Sequence, residues 1–113
     1  MEKRKGKMEI REVPNSTPYE FAIIGRLDTN TSSMLEDFSK KAYEDKHLDI
    51  IVDMSECSFV SSAGLRVIVA MQKRASVKGS LVFKDVQLEV MDVFNMTGFD
   101  KILTFIESGS DEI

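Results

Sequence analysis

Between Asp53 and Leu65 the chain passes from an apolar run into a cluster of small residues, Ser61-Ser62-Ala63-Gly64, that opens a second apolar run. Two adjacent hydroxyls at the start of a helix have two chemistries open to them. One is capping, in which a serine ahead of the first turn accepts a hydrogen bond from an N–H two or three residues on, worth about 1 kcal/mol. The other is carriage of an anion, because the first turn has unsatisfied N–H groups and about half a unit of positive charge. Ser62 or Ser61 fits the cap, and a phosphate covalently carried by Ser62 would be stabilised in the same place.

Other chemistries find less support. A nucleotide-binding loop needs Gly-x-x-x-x-Gly-Lys-[Ser/Thr] or Gly-x-Gly-x-x-Gly, and the sequence has neither. The serines lack the Gly-x-Ser-x-Gly frame of a hydrolase elbow, and the single histidine, His47, precedes the apolar run and is expected at its far end. Asp28, Asp49 and Asp53 are as readily loop caps as metal ligands. With one His and one Cys no zinc site of the usual kind can form, so neither a metal nor another cofactor is expected. Cys57 is read as a small buried hydrophobe with no assigned role. The chain is therefore not expected to be an enzyme.

Composition narrows the partners. Acidic residues outnumber basic ones 19 to 15 for a net charge of -4, the wrong sign for binding nucleic acid. The basic group Lys3, Arg4, Lys5 and Lys7 reads as a solvated tail. No apolar stretch approaches the ~20 residues of a membrane span, and no signal peptide is evident. A cytoplasmic protein without membrane attachment is expected, monomeric or weakly dimeric. Its 113 residues leave room for one domain, 1–113, with a core over about 8–107 and disordered termini.

The elements that must position the serines follow from periodicity. Residues 8–13 alternate, 14–18 form a Pro/Asn turn, and 19–27 are rich in aromatic and β-branched side chains, which predicts an antiparallel hairpin closed by Gly25 and Asp28. Residues 29–45 read as a half-buried helix capped at Thr29, Asn30, Ser32 or Ser33, the last forming a capping box with Glu36. Within it Met34, like Val67 further on, reads as core. Residues 48–54 predict a central strand covered on both faces, 55–61 a turn, and 62–77 a largely apolar helix stopped at Lys78-Gly79. A strand at 80–83, a helix at 87–96 ended by Thr97-Gly98, and a strand or short helix at 102–106 follow, before a disordered tail from Ser108. The result is an α/β domain, a mixed sheet of four to five strands packed with three to four helices.

Four segments, Gly25-Arg26-Leu27-Asp28, Ile51-Val52-Asp53-Met54-Ser55, Phe59-Val60-Ser61-Ser62-Ala63-Gly64-Leu65 and Met96-Thr97-Gly98-Phe99, stand in the order and spacing of STAS domains. The chain resembles a bacterial anti-sigma factor antagonist over essentially residues 8–107. That resemblance implies a regulator whose unphosphorylated form binds a serine-kinase anti-sigma factor and so releases the sigma factor. It implies phosphorylation at Ser62, reversal by a PP2C-type phosphatase, and a partner surface of Asp28, Ser61, Ser62, Gly64 and Arg66. A STAS scaffold or subunit serving another regulatory or lipid-transport complex, without phosphorylation, is the alternative.

Two residues depart from the family pattern. Phosphorylated members carry Asp immediately before the acceptor serine where this chain has Ser61, which makes Ser61 a second candidate acceptor. Arg66 stands where many relatives have a small residue, and it brings a cation beside the switch. A phosphate would add about -1.5 to -2 charges next to Asp28, enough to repel a surface that docks when neutral.

Overall fold

The computed structural model describes residues 8–108. Expectations for the basic group at Lys3 to Lys7 and for the tail beyond Ser108 fall outside them. A hairpin of β1 (Met8–Val13) and β2 (Tyr19–Leu27) leads into α1 (Ser32–Glu44), β3 (Asp49–Asp53), β4 (Cys57–Val60) and α2 (Ser62–Val77). β5 (Ser80–Lys84), α3 (Leu88–Thr97), a 3-10 turn (Phe99–Lys101) and β6 (Thr104–Ile106) complete it.

The sheet is mixed, in the order β1-β2-β3-β5-β6, with β1 antiparallel to β2 and the remaining pairs parallel. β4 adds a strand that the sequence reading took for a turn. Its four residues, Cys-Ser-Phe-Val, are too short for alternation to show, and what makes them a strand is a distant partner, the last third of β2. Gly25 makes that pairing possible. It does not close β2, as expected, but sits inside it at φ +105, where the parallel register shifts and the strand continues to Leu27.

All three helices pack on one face of the sheet. Phe21, Val52 and Phe83, neighbours across β2, β3 and β5, are fully buried there. Phe38 of α1 meets Phe21 edge-on at 4.7 Å, and Phe94 of α3 lies 6.4 Å from Phe83. α2 contributes Leu65, Ile68, Met71 and Ala75 to the same core. Burying these side chains is the main favourable term in folding, roughly 1.5–3 kcal/mol for each large one.

The opposite face carries Ala22, Ile51 and Val82, all half-buried. β3 is therefore covered by helices on one face only, which corrects the expectation of two. Its run of apolar residues arises because Ile51 fills the centre of the open face between the flanking strands. On that face Lys84 Nζ reaches Glu20 Oε2 at 2.6 Å, diagonally across β3.

Helix starts also differ in detail. α1 begins at Ser32, within the expected span of starts, but its N-cap is Thr31, not one of the four candidates, and no Ser33–Glu36 box forms. Met34 is exposed and Val67 only partly buried, so neither belongs fully to the core. Ser108, assigned to the tail, is bound to Asp85, donating its N–H to Oδ1 at 2.7 Å and its hydroxyl to Oδ2.

Candidate functional site

The site forms where β2 and β4 end together and α2 begins. Ser61 is anchored by its N–H, which donates to the Leu27 carbonyl at 2.8 Å. Extended at φ -87 and ψ 175, it turns the chain out of β4 into the helix, and its Oγ accepts from the Gly64 N–H at 3.1 Å. Ser61, not Ser62, is thus the cap. Ser62 follows as the first helical residue, exposed, its hydroxyl without a hydrogen-bond partner among the described residues. The N–H groups of Ser62 and Ala63 have no acceptor there either, as expected of a first turn. A phosphate on Ser62 would lie beside these donors and the positive end of the helix dipole.

Gly64 sets how near the helix comes to the strand. A Cβ at this position would lie 2.7 Å from Leu27 Cγ and 2.9 Å from the Leu27 carbonyl oxygen, closer than packed atoms come. The glycine is buried, so its part is to fix the position of Ser61 and Ser62, not to offer contact surface.

Asp28 follows Leu27 directly and is half-exposed beside α1. Its Oδ1 accepts from the N–H groups of Asn30 and Thr31, each at 3.0 Å, and from the Thr31 hydroxyl at 3.1 Å. The Thr31 hydroxyl shares its one proton between this contact and the Arg26 carbonyl, which is nearer at 2.7 Å. Partial desolvation pushes the Asp28 carboxyl up, but the hydrogen bonds from Thr31 and Asn30 and the Arg26 guanidinium outweigh it and hold it below its ordinary value. Asp28 stays ionised and orders the loop into α1.

Arg66 projects one turn along α2 between two shallow hollows. One, of about 390 Å³, is lined beside Arg66 by Ser62, Leu65, Val69, Ala70 and Lys73 of α2 and by Phe99 of the 3-10 turn. The other, about 340 Å³, lies toward α1 and includes Ser32 and Glu36. The lining of the first hollow has almost no signature in the sequence. Only the placing of Phe99 after Gly98, a left-handed residue at φ 80 that turns the chain back at the end of α3, hints at it.

This arrangement can hold and present a charge. Cys57 is buried in β4 behind the site, and burial pushes its thiol above the ordinary value. His47 lies at the start of the parallel strands, stacked on Tyr19 at 4.0 Å, and contributes nothing to Ser62. Among the described residues no three His, Cys, Asp or Glu side chains converge as a metal site, and no helix is long and apolar enough to cross a membrane.

Known proteins give this geometry a context. Over 60 residues the chain is 33% identical to a Bordetella bronchiseptica protein that bears the name anti-sigma factor antagonist BtrV, an alignment spanning 52% of each. The phosphorylated form of the Bacillus cell-fate determinant SpoIIAA superposes with a TM-score of 0.67 at 16% identity, covering 92% of this chain and 95% of that one. SpoIIAA in its unphosphorylated form gives 0.65, and a Thermotoga maritima protein described as an anti-sigma factor antagonist gives 0.74, covering 93% of this chain and 89% of its own. At 16% identity these likenesses establish the shared fold. The profile of the STAS domain matches residues 7–112, nearly the whole chain, and the chain belongs to the STAS domain family.

Proposed function

We propose that this chain is a cytoplasmic anti-sigma factor antagonist, switched by a single phosphate on Ser62. In the unphosphorylated state the corner formed by Asp28, Ser61, Ser62 and Arg66, seated by Gly64, docks a serine-kinase anti-sigma factor and frees the sigma factor. The kinase modifies Ser62 and a PP2C-type phosphatase restores it. The observation that carries this reading is the division of labour between the two serines. Ser61 is engaged in the cap, whereas Ser62 is exposed, unbonded and set over two free N–H groups. Ser61 therefore takes the structural place ahead of the acceptor without being the acceptor itself. The likeness to SpoIIAA, a protein of the same fold known in phosphorylated and unphosphorylated forms, supports the switch.

A phosphate here acts through charge. It adds about -1.5 to -2 units beside Asp28, which is already ionised, and a partner surface matched to the neutral hydroxyl meets repulsion and an extra desolvation cost. Because the helix start stabilises the anion locally, the backbone has no reason to rearrange.

The test is a paired pull-down from source-cell extract with wild type and Ser62→Asp, partners identified by mass spectrometry, followed by phosphosite mapping after incubation with the recovered kinase. Recovery of a serine-kinase anti-sigma factor by wild type alone, with phosphate on Ser62, is expected. Equal recovery by both baits would reduce Ser62 to an ordinary helix residue. Phosphate on Ser61 would overturn the assignment of the acceptor.

A further inference from the structure

The five-strand row β1-β2-β3-β5-β6 ends in two unlike edges. β6 is three residues long, too short to template another strand. β1 presents six residues, Met8–Val13, bonded among the described residues to β2 on one side only, with no proline, glycine or bulge to interrupt it. Such a row of unpaired N–H and C=O groups is open to a further strand. We propose that its partner is a second copy of this chain, joined β1 to β1, antiparallel, about a twofold axis at Ile10.

Charge placement selects that register. Two copies related by a twofold can join the same edge antiparallel only with the axis perpendicular to the sheet, so each residue faces one from the same side of the sheet. In β1 the helix side bears Met8, Ile10 and Glu12, opposite Gly25, Ile23 and Phe21 of β2. The open side bears Glu9, Arg11 and Val13, opposite Ile24, Ala22 and Glu20. An axis at Ile10 sets Ile10 against Ile10 of the second copy, and Glu9 against Arg11 twice. An axis at Met8 or Val13 overlaps the two strands by a single residue, one at Glu9 or Glu12 sets carboxylate against carboxylate, and one at Arg11 sets guanidinium against guanidinium; like charges directly opposed disfavour pairing. The charges that keep unrelated strands off this edge therefore fit one arrangement of the chain with itself.

Ile10 is half-buried against the core, so the two copies would extend their apolar layers into one another. Within one copy Arg11 Nη2 meets Glu9 Oε2 at 3.0 Å with side chains 63% and 50% exposed, a weak pair easily exchanged for the intermolecular one. A ladder this short buries much less than a standard interface, so the dimer is weak, dissociating in the high-micromolar range. This inference is independent of the phosphorylation switch.

The experiment is sedimentation equilibrium on the full chain over a wide concentration range, with Glu9→Arg, Arg11→Glu and the double exchange. Both residues are exposed, and circular dichroism verifies that the fold is kept. Each single variant is expected to weaken self-association about tenfold. The double exchange restores it, and an equimolar mixture of the two single variants forms a heterodimer at least as strong as wild type. A wild-type chain that stays monomeric throughout, single variants that associate like wild type, or a mixture that forms no heterodimer would each overturn the proposal.

Discussion

Two helix starts lie side by side in this domain, one after β2 and one after β4, and the backbone N–H groups around them are held differently. Ahead of α1, Asp28 takes two N–H groups through its carboxylate, and its carbonyl takes those of Thr31 and Ser32. At α2 the neutral Ser61 takes one, from Gly64, and those of Ser62 and Ala63 stay open to solvent. A helix start whose lead-in loop already holds a carboxylate has that charge built in. One capped by a neutral hydroxyl can still receive a negative charge, and the adjoining carboxylate ensures that this second charge is felt.

The sharpest way to break this contrast is to place a charge at Ser62. Ser62→Asp is expected to weaken binding of the kinase about a hundredfold, near 3 kcal/mol, whereas Ser76→Asp at the far end of α2 leaves it within about threefold; calorimetric titration measures both. Next in size is Gly64→Ala. The added methyl must displace Leu27 or the helix start, and after allowing for its better helix propensity the variant loses about 1–2 kcal/mol, lowering the thermal midpoint by about 5–15 °C.

The two serines then separate. Ser61→Ala removes the cap and costs about 1 kcal/mol in urea unfolding, while Ser62→Ala changes stability by less than about 0.5 kcal/mol because its hydroxyl holds nothing. The smallest effect is a slope. The Asp28 carboxyl is held below its unfolded value, so the stability it contributes is present above the ordinary carboxylate range and is lost as pH falls through the folded value. Asp28→Asn should flatten that acid limb of the stability curve, and an unchanged limb would mean that the α1 start does not depend on the charge.

Elements with their own periodicity and stop signals were legible in the sequence. The helix from Ser62 to Val77 is found where its apolar pattern placed it, ended by Lys78 and by Gly79 at φ +114, where a side chain would strike the Leu48 carbonyl. The serine pair was legible as a helix start, but which serine caps it was not, because that depends on the Leu27 carbonyl holding Ser61 from another strand. For the same reason β4 and the role of Gly25 stayed hidden: both arise from a pairing more than thirty residues apart. The single-sided cover of β3 escaped because an apolar run looks alike whether its second face meets helices or only neighbouring side chains.

The helices' confinement to one face of the sheet has a consequence for how the molecule opens. With no second helical layer to hold the strands when the first lifts, detachment of the helices uncovers Phe21, Val52 and Phe83 together, and no partly packed remnant keeps them dry. Amide protons of β3, bonded to strands on both sides, should then exchange with solvent deuterium only through whole-molecule opening, and at one common rate with those of central β2 and β5. The outward amides of β1 need no opening at all; they exchange freely in the single chain and slow only when something lies along that edge.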